Sequence, residues 1–238
     1  MDGAATRATA QGASSVLTAS LTFIVLTALA MVEYPGGSKY ELTSHHYLFF
    51  RNFLSDLGAT KTSAGSSNTS SCVLFIVAMT CVGISLIAFS GSWHGIAERR
   101  GIAVHAAWVF KWSAIGSGIC FIGIGATPWN LLPSEHNFFA RGAFSLLLVF
   151  VLAMLTVQRR NRWPWPYVIA NVAFVAVVVV YVAIVAAGPS LRTPGGLAFQ
   201  VTVQKIMVYA SVLNFSYQAH GVRNALAPTR TVLQVAHR

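Results

Sequence analysis

The sequence predicts an all-α polytopic membrane protein, a bundle of six transmembrane helices with an interfacial helix in its first outer loop. Two observations predict this class. Of the 238 residues, 55% are hydrophobic and only 9% are charged, whereas a soluble domain carries roughly 25% charged residues. Six apolar blocks are also long enough to cross a hydrocarbon layer of about 30 Å, which takes about 20 helical residues.

The six blocks define one transmembrane domain, 15–220, between a mobile cytoplasmic N-terminal segment, 1–14, and a cytoplasmic tail, 221–238. The predicted spans cover residues 15–33, 71–90, 102–125, 139–157, 167–187 and 198–220. The first block contains Ala28-Leu29-Ala30, which has the form of a signal-peptide cleavage site. Because Arg7 is the single basic residue before it and Asp2 offsets that charge, we expect an uncleaved first helix.

The placement of Lys and Arg predicts a multi-pass protein of the plasma membrane with both termini cytoplasmic. One set of segments holds Arg7, Arg99, Arg100, Arg159, Arg160, Arg162, Arg223, Arg230 and Arg238. The opposite set holds Lys39, Arg51, Lys61, Arg141 and Arg192. Loops 34–70, 126–138 and 188–197 then face outward. The net charge of +10 is spread between apolar blocks without a dense basic run, so we expect no nucleic-acid partner.

Residues 44–58 of the first outer loop are the strongest candidate for a functional surface. Plotted as a helix, this segment has aromatic and leucine side chains on one side and polar side chains on the other. The polar side carries Arg51, Asn52, Ser55 and Asp56. The pattern predicts an amphipathic interfacial helix that ends at a Gly58 cap. Its polar side either meets only water or faces a lipid head group, and the pattern allows both.

The histidines and the Ser-Asp pair do not form a recognised metal site or nucleophilic triad. His45 and His46 are adjacent, so on a helix they point about 100° apart and cannot ligate one ion. A set of His45, Asp56 and His136 lacks ligand spacing, and we predict no metal ion and no cofactor. Ser55 and Asp56 with His136 have the composition of a triad, but neighbouring side chains diverge and no nucleophile elbow is present.

Two lysines fall inside predicted spans, where buried cations are functional candidates. Lys205 lies near the outer surface, where it can snorkel outward, pair with Asp56 or hold an anionic head group. Lys111 lies nearer the middle, and we expect a structural role for it, stacked on an indole or bonded to Asn171 or Asn214. Small residues of the third span favour close helix packing. We therefore expect that span at the centre of the bundle, with Lys111 inside.

Several short motifs surround these candidates. They are Tyr34-Pro35-Gly36-Gly37, the stretch from Asn52 to Gly58, Asn68 with Ser71, Thr127-Pro128-Trp129-Asn130, and His136. In these motifs and in its six spans the chain resembles the FRAG/DRAM/SFK group and its prokaryotic relatives of unknown function. The resemblance implies a lipid-related membrane protein, because members are linked to remodelling of glycolipid anchors and to membrane lipid organisation. It implies no catalytic set. We interpret Asn68-Thr69-Ser70, formally a glycosylation sequon, as a structural loop or cap.

These observations favour a protein that binds, organises or remodels a lipid-like amphiphile at an outer polar pocket. The candidate residues are Arg51, Asn52, Ser55, Asp56, His136 and Lys205. Arg51 and Lys205 would hold an anionic group, and Asp56 and His136 would exchange protons if the protein does chemistry. One alternative is an intramembrane enzyme that acts on a lipid or isoprenoid by acid/base or metal chemistry. Another is a non-catalytic subunit or scaffold for a membrane protein partner.

Overall fold

Six long helices account for the six predicted spans. The computed structural model describes residues 3–100 and 103–226, without the side chains of 3–6, 94–96 and 98–100. The helices are α1 (Gly3–Glu33), α2 (Thr69–Arg100), α3 (Val104–Ala126), α4 (Pro133–Arg160), α5 (Trp165–Ala187) and α6 (Pro194–Leu226). All six are long and apolar enough to cross a membrane, and the described residues contain isolated β-bridges but no strand. The all-α, six-span prediction is confirmed at this level.

The helix ends differ from the predicted segments at both termini of the chain. Residues 3–14, which we expected as a separate mobile segment, belong to α1. They are rich in alanine, the strongest helix former, so the helix extends through them. At the other end α6 continues to Leu226, and the rest of the predicted tail, 227–238, lies outside the described residues.

The helices form a closed ring. Each packs against its neighbours in the chain, and α6 packs against α1. The prediction that the third span lies at the centre is wrong, because α3 is a member of the ring between α2 and α4. Lys111 accordingly lies on the outer surface, with its ammonium 4.9 Å from the ring centre of the exposed Trp108 and 5.9 Å from that of the exposed Trp112. The predicted stacking on an indole is confirmed, whereas the predicted interior position is wrong.

Helix contacts are close on one side of the ring, from α1 to α4, and wider on the other, from α4 through α5 and α6 to α1. The predicted small-residue packing is confirmed between α2 and α3, where a Cβ atom on Gly118 would lie 2.6 Å from the Gly83 carbonyl oxygen. The Ser117 hydroxyl likewise donates to the Ala143 carbonyl of α4 at 3.1 Å. In contrast, α4 meets α5 and α6 across large rings such as Phe144 with Tyr181 and Phe150 with Phe215. The wider spacing leaves room inside the ring.

A chain of buried amides joins α4, α5 and α6 in the half of the ring away from the first loop. Its four members are Gln158, Gln218, Asn214 and Asn171, linked in that order by side-chain hydrogen bonds of 2.6, 3.3 and 3.3 Å. Asn171 also donates to the Val151 carbonyl at 3.1 Å. These amides bond to one another and to backbone carbonyls, although Gln158 Oε1 has no partner among the described residues. They do not bond to Lys111, so of its two expected roles the stacking on an indole is the one found.

The predicted amphipathic helix over 44–58 is wrong. The chain runs through turns as far as Phe53 and then forms a five-residue 3-10 helix, Leu54–Gly58, which we call the plug helix. The side chains of Asn52 and Asp56 accept hydrogen bonds from the N–H groups of Leu48 and Phe53. Such local side-chain bonds compete with helical ones and favour turns. Gly58 is not a left-handed cap, because its φ is not positive. Glycine is required there because a Cβ atom would collide with the Phe75 ring.

The three predicted outer loops meet at one end of the ring, which we call the plug end. The Tyr40 hydroxyl donates to the Leu191 carbonyl at 2.9 Å, which joins the first loop to the loop before α6. The Thr60 N–H donates to the Asn130 side chain at 2.9 Å, which joins the first loop to the loop before α4. The plug helix itself packs against α1, α2 and α6.

Candidate functional site

A cavity of about 130 Å³ lies inside the ring beneath the plug helix. Every helix of the ring contributes to its wall, which is largely apolar. Examples, in chain order of the helices, are Phe23, Met79, Phe121, Phe144, Tyr181 and Val212. Leu54 and Ser55 of the plug helix also line the cavity. The plug helix therefore closes the plug end of a pocket that all six helices build.

Three of the polar side chains that line the cavity lie at its plug end: Ser55, His136 and Gln204. The Gln204 side-chain oxygen accepts a hydrogen bond from the Leu54 N–H at 2.8 Å, which leaves its amide N–H groups as donors. Within the described chain the Ser55 hydroxyl has no hydrogen-bond partner. Both groups are therefore able to bond to a ligand.

His136 occupies the first turn of α4 and is buried. Its Nδ1 lies 2.7 Å from the Thr127 carbonyl oxygen. Because a carbonyl only accepts, Nδ1 carries the proton, and Nε2 is the acceptor of the neutral ring. The Thr-Pro-Trp-Asn loop thus fixes the orientation of an imidazole whose ring lines the cavity.

The plug helix is held by what we call the anchor cluster, formed by Asn52, Asp56 and Lys205. Asn52 is fully buried, and its side-chain N–H groups donate to the Gly37 carbonyl at 3.1 Å and to Asp56 Oδ2 at 3.2 Å. Asp56 Oδ2 also accepts the Phe53 N–H at 2.9 Å. The predicted proximity of Asn52 and Asp56 is correct, but they face the protein interior and not a water-filled face.

Lys205 completes the anchor cluster from α6. It is 2% exposed, and its Nζ donates to the Asn52 carbonyl at 2.6 Å. The rings of Tyr47 and Phe49 lie 5.3 and 4.9 Å from the ammonium, measured to their centres, within the range of cation–π attraction. The ammonium does not snorkel outward, and it bonds to the loop backbone and not directly to Asp56.

Burial raises the pKa of Asp56 to about 6, despite several contacts that favour the ionised carboxylate. Those contacts are the two hydrogen bonds from Asn52 and Phe53, the positive charge of Lys205 and the nearby indole of Trp129. The Trp129 N–H is buried and has no acceptor at hydrogen-bond geometry among the described residues. Asp56 is therefore a carboxylate at neutral pH that takes up a proton in mild acid.

Two buried tyrosines add to this end of the protein. Burial, with a further contribution from the charge of Asp56, raises the pKa values of Tyr34 and Tyr47. Both phenols therefore stay protonated and donate hydrogen bonds. Tyr34 donates to the Gly37 carbonyl at 3.1 Å, and Tyr47 donates to the carbonyls of Asn52 and Phe53, each at 3.0 Å. The phenols fix the same loop that the anchor cluster holds.

A second set of bonds holds the plug helix from the start of α2 and the residue before it. The Asn68 side chain donates to the Leu57 carbonyl at 3.1 Å and to the Ala59 carbonyl at 2.8 Å. The Ser71 hydroxyl donates to the same Leu57 carbonyl at 3.1 Å. Asn68 is 2% exposed, so it acts as the structural cap that we expected and not as an exposed glycosylation acceptor.

The predicted site residues separate into three groups. Asn52, Asp56 and Lys205 form the anchor cluster, while Ser55 and His136 line the cavity. Arg51 belongs to neither group, because its guanidinium pairs with the Glu41 carboxylate at 2.9 Å on the surface, with both side chains roughly half exposed. Its expected role in the pocket is not supported. Among the described residues, no three His, Cys, Asp or Glu side chains come together as metal ligands would.

Gln204 is a cavity residue that sequence reasoning missed. A glutamine within an apolar span, directly before Lys205, is a signal of polar contact inside a membrane protein. Its partner, the Leu54 N–H, lies 150 positions away in the chain, which no local pattern indicates.

Comparison with known proteins gives no relative for this chain. No protein-family model, no curated protein and no solved structure matches it.

Proposed function

We propose that this protein binds the apolar chain of an amphiphile in the cavity within the ring, with the polar end of the ligand beneath the plug helix. The observation that carries the proposal is the division of the cavity into apolar walls and a polar end. Ligand sites are typically apolar pockets with a few convergent polar groups that set orientation. Here Ser55 belongs to the plug helix, Gln204 bonds to it, and His136 lies in the first turn of α4 at the same end of the ring. Elsewhere the lining is apolar except for the hydroxyls of Tyr181 and Ser211, and that of Ser211 donates to the Met207 carbonyl.

The size of the cavity limits the ligand. A closed cavity of about 150 Å³ admits benzene, and this cavity measures about 130 Å³. It therefore suits one segment of an acyl or isoprenoid chain, while a whole two-chain lipid would exceed it. We expect the rest of a longer chain to leave the ring through the wide contacts of α5 with its neighbours.

The polar end of the cavity favours a neutral or hydrogen-bonding head. The charges of the anchor cluster are already engaged, since Lys205 bonds to the Asn52 carbonyl and Asp56 accepts two N–H groups. Hydroxyl, amide and imidazole groups remain for the ligand, which suits an alcohol, an ester or a protonated acid. We place this end at the outer leaflet of the plasma membrane, in keeping with the distribution of Lys and Arg.

A cavity-filling substitution tests the proposal, and the chain offers a matched control on the next residue. Val212 lines the cavity, whereas Leu213 is 72% exposed on the outside of the same helix. In native mass spectrometry with added hexadecanoic acid as the probe, we expect the wild type to retain one fatty acid and Val212→Phe to lose it. Leu213→Phe should bind as the wild type does.

Two results would contradict the proposal. One is the absence of a retained fatty acid on a wild-type protein that unfolds cooperatively. The other is equal retention by Val212→Phe and the wild type. A thermal unfolding curve for each variant shows whether the ring is intact, so a loss of binding by misfolding is recognised.

A second candidate function is acid/base chemistry on the polar end of the same ligand. The observation that favours it is the pairing of a Ser55 hydroxyl without a partner and an oriented His136 in one cavity. If it is correct, protein with His136→Gln expressed in its own membrane should retain a ligand of different mass from that of the wild type. If the ligands retained by His136→Gln and by the wild type have the same mass, the acid/base hypothesis is wrong and the proposed function is ligand binding only.

A further inference from the structure

A polar stripe runs along the face of α4 that points away from the ring. Its members are separated by three, four and four residues, which places them on one face of a helix. They are Ser134, Asn137, Arg141 and Ser145, all exposed. Together with Phe138 and Gly142 they line a shallow open groove. The buried residues of the same helix, such as Ala143 and Leu147, lie on the opposite face.

The charge of Arg141 has no counterion among the described side chains. Among the described residues the ion pair is that of Arg51 with Glu41, and the Arg141 guanidinium forms no ion pair or hydrogen bond with them. Glu135, the acidic residue of α4, does not line the groove. An unpaired cation on the lipid-facing side of a spanning helix is costly, and an anionic group of a lipid would compensate its charge.

The depth of Arg141 corresponds to the level of lipid phosphates. The 28 residues of α4 extend about 42 Å, longer than the roughly 30 Å of hydrocarbon. Arg159 and Arg160 mark the far interface. The roughly 20 residues of α4 that cross the hydrocarbon layer therefore begin near residue 139. Arg141 therefore lies within one turn of the hydrocarbon edge at the plug end, and its long side chain reaches the interface.

We infer that this stripe binds the phosphate of an anionic phospholipid in the leaflet at the plug end. The planar guanidinium of Arg141 matches two phosphate oxygens. The Asn137 amide and the Ser134 and Ser145 hydroxyls supply further donors along the same face. The Phe138 ring, 69% exposed beside the stripe, offers an apolar surface to the acyl chains. This site lies on the outside of the ring and is independent of the cavity.

Native mass spectrometry of the full chain tests the site with phosphatidylglycerol and phosphatidylcholine as probes. We expect the wild type to retain more phosphatidylglycerol than phosphatidylcholine. Arg141→Gln should bind phosphatidylglycerol about fivefold more weakly than the wild type does, which is the effect of one basic residue near an anionic surface. Arg192→Gln, which removes an exposed cation from the loop before α6, is the control and should bind as the wild type does. Arg141→Lys should keep the preference, because it keeps the charge.

Three outcomes would overturn the inference. The wild type could retain both lipids equally, or Arg141→Gln could retain phosphatidylglycerol as well as the wild type does. Alternatively, the wild type could be a dimer that Arg141→Gln converts to a monomer without a change in lipid retention, which would assign the stripe to a second copy of the chain. Inorganic phosphate at the same concentration should not displace the lipid, and displacement would show a site for the free ion instead.

Discussion

Replacing Asn52 by alanine should release the plug helix while leaving the ring folded. The side chain of Asn52 makes three main hydrogen bonds, with the Leu48 N–H at 3.0 Å, the Gly37 carbonyl at 3.1 Å and Asp56 at 3.2 Å. Each hydrogen bond contributes about 0.5–1.5 kcal/mol net, and more when a charge is involved. The substitution should therefore cost about 3 kcal/mol, which is roughly a hundredfold in the equilibrium between closed and open loop.

Hydrogen–deuterium exchange read by mass spectrometry measures this change directly. Peptides that cover 47–58 should exchange about a hundredfold faster in Asn52→Ala, because the amides of this segment bond within the loop. The exchange rate of peptides from α3 should be the same in Asn52→Ala and the wild type. Asn137→Ala, which removes an exposed asparagine at the same end of the protein, should leave both regions as in the wild type.

Two results would refute the reasoning. If 47–58 exchanges equally in Asn52→Ala and the wild type, the buried amide does not hold the loop. If exchange of α3 and of 47–58 accelerates by the same factor in Asn52→Ala, the loop and the ring unfold together and the plug helix is not a separate unit.

Three other substitutions test the anchor cluster and the ring. Lys205→Met should accelerate exchange over 47–58 by only about tenfold, because the Asn52 carbonyl keeps its bond from Tyr47. The pKa of Asp56 is 3.8 ordinarily and about 6 in the folded protein, so the folded state holds the proton more tightly. The unfolding free energy of the wild type should therefore decrease by up to about 3 kcal/mol as pH rises from 3.8 to about 6. Asp56→Asn should remove this decrease. Gly118→Ala should cost about 1–3 kcal/mol in thermal unfolding, because its Cβ would lie 2.6 Å from a backbone oxygen of α2.

Each of these has a distinct contrary result. Exchange as fast in Lys205→Met as in Asn52→Ala would show that the ammonium is the main support of the loop. An unchanged pH profile in Asp56→Asn would show that the carboxyl does not titrate between pH 4 and 6. For the ring, Gly91→Ala is the control, since a Cβ atom there meets nothing within 4 Å. An equal effect of the two glycine substitutions would exclude close packing as the cause.

The six helices could be predicted because length and hydropathy suffice for them. Each apolar block exceeds the thickness of the hydrocarbon layer, and that property is local in the sequence. The first loop was predicted poorly for the opposite reason. A helical wheel of 44–58 assumes that polar side chains point outward, whereas Asn52 and Asp56 bond to the backbone of their own loop. These bonds select turns over a helix.

Part of the candidate site followed from composition, and part required the fold. Lys205 was identified because a cation in an apolar span needs a partner, but its actual acceptor is a carbonyl 153 positions away. Arg51 was assigned to the pocket by its place on the helical wheel, and it lies on the surface because that helix does not form. The cavity itself depends on closure of the ring by α1 and α6, a long-range contact that no sequence periodicity specifies.

The most direct test of the central claim is a density map of the full-length protein, purified from its own membrane and reconstituted in a lipid nanodisc. We expect elongated density inside the ring, which begins beside Ser55, His136 and Gln204 and continues along the apolar wall toward Val212. A ring interior filled only by protein side chains, with lipid density confined to its outer surface, would contradict it.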